Sequence, residues 1–248
     1  MTCFAARLPA PTDLRRHLRG FSLTELMVAL AINAFVMAGA LTLYQRHSQH
    51  YQFLQAAAAL EERLTFAMRA LIDSTQAAGF FHLTTGSPPP VPATAFCGGR
   101  DVTAWALATI PILEVNSAGS LPCSTVGRAM TGSDILVSRH LDSQPAVPEQ
   151  QAHAWYVDTR SSESGLPSLR RQTLLADGRV QNQEIMPGIT ALRVRSVVDS
   201  DGDGLGDSLH NGPIAGALAV LLEVVVQSDR NDIGDRTARR LITVRNQP

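Results

Sequence analysis

The sequence has no lysine; all 21 of its basic residues are arginine, a bias of genome composition rather than of chemistry. Charge of either sign is scarce, at 17% of 248 residues, and a net charge of −1 gives no overall electrostatic reason to hold nucleic acid. The 18 glycines and 14 prolines follow no period, which excludes a fibrous repeat. Also missing are a Gly-x-Ser-x-Gly elbow, a Walker motif and a His-Glu-x-x-His helix, so the sequence gives catalysis no support. No catalytic residue and no required cofactor is expected. What is abundant is apolar: 45% hydrophobic residues exclude disorder, and the length suits one globular domain plus an appendage rather than two large catalytic domains.

The apolar residues are unevenly distributed. Leu26 to Tyr44 is a nearly unbroken apolar run, interrupted by Asn33, Gly39 and Thr42. As a helix it spans roughly 28 Å, close to the hydrocarbon thickness of a bilayer, and it reads as a single membrane-spanning segment. Arg7, Arg15, Arg16 and Arg19 precede it against the single acid Asp13, which keeps that end in the cytoplasm and directs the rest of the chain out of it. A secretory signal cleaved at Ala38-Gly39-Ala40 is the competing reading. Against it stands Glu25, five residues past Gly20 at the mouth of the run, because a carboxylate there costs about 2.5–3.5 kcal/mol and calls for a partner or a function.

The stretch from Gly20-Phe21-Ser22-Leu23-Thr24-Glu25 to Ile32 resembles the class III signal of type IV prepilins and type II secretion pseudopilins. The resemblance implies that a membrane prepilin peptidase cuts between Gly20 and Phe21 and N-methylates Phe21. Glu25 would then be the pilin glutamate, neutralising the terminal amine of Phe21 on a neighbouring subunit and setting axial register. Removing the leader, residues 1–20, would move the formal charge from −1 to about −4.

Beyond Tyr44 the chain turns polar at Gln45 to His50, and helical periodicity then returns at Leu54, Ala57, Ala58, Leu64, Ala67, Met68, Leu71, Ile72 and Thr75. One helix is predicted, apolar over 21–50 and amphipathic over 51–79, with Gly79 and the proline-rich 87–92 ending it. His47 and His50 read as a solvated helix face rather than metal ligands. Strands are predicted at 105–115, 134–141, 154–158, 169–175, 189–198, 217–227 and 240–245, with a turn at Ala176-Asp177-Gly178. With few helical stretches between them, the fold class is α+β and pilin-like: a long N-terminal helix whose second half covers an antiparallel β-rich head, residues 80–248. Trp105 and Trp155 read as core or interface residues, and Arg170-Arg171 and Arg239-Arg240 as strand-face charges, with a DNA-binding patch as the alternative for one of these pairs.

Within that outline Arg69 to Asp73, Ala78-Gly79-Phe80, Gly188 to Val194, Val198 to Gly204 and Val244-Arg245-Asn246 are similar in order and spacing to the PilW family of minor pilins. Phe81-His82 departs from the Gly-Cys of many relatives. Once the leader and Cys3 are removed, Cys97 and Cys123 are the remaining cysteines in an oxidising compartment, where a disulfide is expected and two free thiols are the alternative.

Asp199, Asp201, Asp203 and Asp207 stand at positions 1, 3, 5 and 9 of an EF-hand-type loop, with Gly204 at position 6. Oxygen ligands at this spacing suit Ca²⁺, yet position 12 is His210 rather than a bidentate glutamate, so a Ca²⁺ loop and an acidic hairpin turn both stand. The function implied is a minor pilin in the inner membrane with its head in the periplasm, priming or entering a type IV pilus. Its partners would be the prepilin peptidase, other minor pilins, the major pilin and a tip adhesin. A J-like minor pseudopilin of type II secretion and a membrane-anchored adhesin or DNA-capture subunit are the alternatives.

Overall fold

A computed structural model describes residues 21–78, 94–97, 99–103, 113–117, 121, 123, 129–142, 149–161, 165–175, 177–211, 217–228, 230 and 233–244. The leader with Cys3 and Gly20, the helix stop at Gly79, Phe81-His82, the proline-rich 87–92 and Trp105 lie outside the described residues. The chain divides into two compact units, one ending at Tyr51 and the other running from Gln52 onward. Helix α1 is Leu23–Ala77, and the strands are β1 (Phe96–Cys97), β2 (Arg100–Asp101), β3 (Leu113–Ser117), β4 (Asp134–Asp142), β5 (Glu149–Asp158), β6 (Ser168–Leu174), β7 (Val180–Pro187), β8 (Ile189–Val198), β9 (Ser208–His210), β10 (Ala217–Val226) and β11 (Arg236–Thr243). The fold is α+β, one long N-terminal helix with antiparallel sheets.

Strands β3 to β7 form a five-stranded antiparallel meander in chain order, and a second sheet has the order β11-β10-β8-β9. Strands consecutive in the chain pair most readily, which is why the meander follows the sequence. Its β6–β7 hairpin turns at Asp177-Gly178 as predicted. Gly178 has φ +81°, and a Cβ there would lie 2.2 Å from the Thr94 carbonyl oxygen, so both conformation and close approach require glycine. Gly188, at φ +83°, passes the chain directly from β7 of one sheet to β8 of the other; its amide donates to the Pro167 carbonyl at 2.7 Å, and its carbonyl accepts from Gln227 at 2.8 Å.

Side chains join the two sheets where β9 is too short to cover the edge of β8. β9 pairs with Ser196 to Val198 only. Further along that edge, Leu192 N donates to Ser133 Oγ at 3.0 Å and Val194 N to Asp134 Oδ2 at 2.8 Å. Two amides that would otherwise be orphaned are thereby satisfied from the start of β4.

The core forms where the second half of α1 meets both sheets. Leu60, Leu64, Ala67, Met68 and Leu71 recur at helical spacing and pack with Leu136, Trp155, Val157 and Leu169 from one sheet and Leu192, Val194, Val220, Leu222 and Val224 from the other. Burial begins later than the periodicity predicts, since Leu54 and Ala58 are exposed although they share the apolar stripe. The last turns are fixed by a polar network: Trp155 Nε1 donates to Ser74 Oγ at 2.8 Å, and Ser74 Oγ lies 2.6 Å from Ser138 Oγ. Each of these buried polar atoms has a partner, so the network fixes the seating of the helix on β4 and β5 without an orphan.

Several strand bounds differ from the prediction. β5 starts at Glu149 rather than Ala154, and β11 occupies Arg236–Thr243 rather than 240–245. β7 and β9 were not predicted at all. Val180-Gln-Asn-Gln-Glu has little intrinsic β preference, and the hairpin and the ladder to β6 hold it extended.

Candidate functional site

The chain's N-terminal region is built by local rules. Ser22 precedes the first helical residue; its Oγ accepts from Glu25 N at 3.2 Å, and its own amide donates to Glu25 Oε2 at 3.5 Å. This reciprocal pair is a capping box, which satisfies two of the donors that a helix start leaves open. Ser22 O also accepts the first helical bond, from Leu26 N at 3.1 Å. Glu25 therefore has a structural duty inside its own chain. The Ser-x-x-Glu signature before an apolar run was legible in the sequence, and the register reading of Glu25 passed over it.

Past the cap, the helix surface is apolar and uncovered. Phe21 is 82% exposed and Phe35 86%, and Leu26, Met27, Leu30, Ile32, Val36 and Met37 are all exposed. Among the described residues this is the one helix long and apolar enough to cross a membrane. Its polar interruptions are adapted to that setting. Thr42 Oγ1 donates to the Gly39 carbonyl at 2.8 Å, so the hydroxyl needs no water. His47 and His50 are both exposed.

Residues 15–41 match the family model of the prokaryotic N-terminal methylation motif. This supports a type IV pilin or pseudopilin subunit, a class of structural proteins rather than enzymes. A class III signal implies processing by the prepilin peptidase and assembly with other pilins, and the apolar helix fits membrane anchoring through a single span. No curated protein matches the chain. The methylation motif covers the signal and the first part of α1 and does not reach the β-sheets.

In the β-rich unit, Cys97 and Cys123 are joined by a disulfide with their Cα atoms 5.7 Å apart. It sits in a small apolar cluster with Ala95, Val102, Ala152 and Leu174. The buried amide of Gln172 replaces a strand partner for Cys123, accepting from its N–H at 3.2 Å and donating to its carbonyl at 3.4 Å. The disulfide therefore ties β1 to Cys123, and Gln172 ties Cys123 to β6.

Residues 199–207 join β8 to β9 through a loop tied by its own carboxylates. Asp199 Oδ1 accepts from Gly202 N at 2.6 Å and Oδ2 from Gly204 N at 2.8 Å, while Asp207 Oδ2 accepts from Ser200 N at 2.8 Å. The amides of Gly204 and Gly202 hold the Asp199 carboxyl below the usual carboxylate range. Asp199, Asp201 and Asp207 present oxygens within 4.8 Å of one another. Asp203, named with them from the sequence, is outside that group; its Oδ1 accepts from Leu205 N at 2.7 Å. His210 Nε2 lies 2.9 Å from Ser208 Oγ.

One arginine of each pair is neutralised on a strand face. Arg170 meets Glu184 at 3.0 Å and Asp158 at 3.6 Å, and Arg239 meets Glu223 at 2.6 Å. Trp155 is fully buried beneath α1.

Proposed function

We propose that this chain is a minor pilin of the PilW kind, cut between Gly20 and Phe21, N-methylated at Phe21, and inserted into or priming a type IV pilus with its head in the periplasm. The observation that carries the reading is the conjunction of the methylation motif with an apolar, exposed helix start. A surface of that kind is stable in a bilayer or against other apolar helices, and a pilin uses both in turn. N-terminal sequencing and intact mass of membrane-extracted protein test the processing: methyl-Phe21 as the first residue supports it, and a terminus near Leu41 overturns it. Co-purification with other minor pilins and the major pilin, and in turn with a tip adhesin, tests the assembly role. Partners drawn from a secretion apparatus would move the chain to the pseudopilins.

The same reading extends to the acidic loop as a weak Ca²⁺ site formed by Asp199, Asp201 and Asp207. Convergence of three carboxylates supports it, because a divalent cation relieves their mutual repulsion. The expected result is a higher melting temperature in millimolar Ca²⁺ than in chelator, lost in the D199N/D207N double variant. Identical melting in both solutions returns the loop to an acidic turn held by its own amides.

A further inference from the structure

A cavity of about 380 Å³ opens between the last turns of α1 and strands β4 to β6, lined in part by Asp73, His140, His153, Trp155 and Arg171. None of the features assigned so far uses it. Strand register sets Arg171 beside Trp155 and Thr173 beside His153 across the β5–β6 ladder. The Arg171 guanidinium lies 5.4 Å from the Trp155 ring centroid, and its Nη2 donates to Gln183 Oε1 at 3.4 Å.

Arg171 differs from the arginine next to it. Arg170 has two carboxylates within ion-pair distance, whereas Arg171 has none among the described residues; the Nε of each is buried without a hydrogen-bond partner. A half-buried cation without a counter-charge is costly, and an anion entering the cavity removes that cost. Asp73 stands on the helix wall but is exposed and makes no ion pair with Arg171.

The imidazoles complete the donor set. His140 and His153 have ring centroids 5.2 Å apart, and His153 Nδ1 lies 3.1 Å from Thr173 Oγ1. Burial first, then the charges of His140 and Arg171, push the His153 ring down to about 3, so it is neutral over the ordinary pH range. The direction of the His153–Thr173 hydrogen bond follows the tautomer: where the Thr173 hydroxyl donates to Nδ1, the ring proton is on Nε2 and is available to an acceptor. A metal ion fits poorly here: among the described residues no third acidic or thiol ligand converges with the two histidines, and a guanidinium stands beside them.

We propose that this cavity is a binding site for a monocarboxylate, held by the Arg171 guanidinium over Trp155 with the His153 ring beside it. One negative charge suits the site better than two, because Asp73 at its mouth repels a dianion. The carboxylate comes either from an acidic side chain of another protein or from a free small acid.

The test uses the full chain in a neutral detergent, following the Trp155 indole N–H resonance, assigned by its absence in the W155F variant. Propionate, the blocked tripeptide acetyl-Ala-Glu-Ala-amide, inorganic phosphate and chloride are titrated at matched ionic strength. The expected result is a saturable shift with propionate or the tripeptide, a weaker one with phosphate and none with chloride. Tighter binding of the tripeptide assigns the site to a protein side chain, and tighter binding of propionate assigns it to a free acid. R171Q should weaken binding by about tenfold or more, the loss of one charge-assisted contact. No saturation in the unmodified chain, a chloride response equal to that of propionate, or a folded R171Q variant that binds as well as the parent overturns the proposal. If R171Q does not fold, the comparison of propionate with chloride in the unmodified chain decides alone.

Discussion

Two stretches of one helix obey different rules. Over residues 23–44 α1 is apolar around most of its circumference and exposed, whereas from Leu60 to Thr75 it carries a buried stripe against two sheets and a solvated face with Glu61, Glu62, Arg69 and Asp73. Backbone hydrogen bonding is the same in both, so the difference lies in what each surface needs as solvent. The second stretch finds its solvent within the chain. The first is exposed, an apolar surface that suits lipid or other apolar helices. Stability should therefore be sensitive to substitution in the second stretch, and assembly to substitution in the first.

The strongest way to break this comparison is to cut one buried and one exposed leucine. Leu71, at 0% exposure in the core, replaced by alanine should cost about 2–5 kcal/mol of head stability in thermal or denaturant unfolding. Leu30→Ala, in the exposed stretch, should leave that unfolding unchanged. Equal effects would mean that the two stretches share one core.

Next in size is the Cys97–Cys123 bond, which lies wholly within the β-rich unit. Closing a loop with a sequence separation of 26 is worth about 3.5 kcal/mol in the chain-entropy model, so the C97A/C123A double variant should melt well below the parent. Membrane insertion of the helix should be unaffected. A melting temperature indistinguishable from the parent's would show that the ladder to β6 suffices without it.

Acid should also distinguish the two stretches, through His153 beneath the end of α1. Its folded value of about 3 lies below the ordinary 6.5, so between these values the unfolded chain binds the extra proton and stability falls as pH falls. From pH 7 to pH 4 this one group should remove on the order of 2–3 kcal/mol. The H153Q variant should flatten that part of the melting profile, and an unchanged slope would assign it to other groups.

The smallest effect on stability, and the most specific on assembly, belongs to Glu25. E25Q keeps an acceptor for the capping box and removes the charge, whereas E25A removes both. Neither should change head melting. If charge pairing with a neighbouring terminus is what assembly needs, both variants should be equally poor at entering filaments. Normal incorporation of E25Q with loss in E25A would assign the role of Glu25 to the cap instead.

How far the fold was legible follows from how local each signal was. The β8 span was predicted at its observed bounds because Ile189 to Val198 alternates buried and solvated residues, a period that any half-buried strand imposes. β11 was misplaced because Arg236-Thr-Ala-Arg-Arg reads as polar coil. It is a strand because β10 supplies eight consecutive partners for it, which only the folded sheet can provide. In the candidate site, the carboxylates of the 199–207 loop were visible from spacing, but the separation of Asp203 from the other three depends on which amide each carboxylate accepts from.

The sequence by itself determined the processing signal, the membrane-length apolar run, the helical period beyond it and the α+β class. Each of these rests on composition or spacing within a few turns of chain, where the physics is local. Tertiary structure alone decided where burial starts on α1, how Ser133 and Asp134 fasten β4 to the open edge of β8, and that among the described residues Arg171 has no counter-ion while Arg170 has two. Those outcomes depend on groups from distant parts of the chain meeting at hydrogen-bond distance, and residue order does not encode that meeting until the sheets have formed.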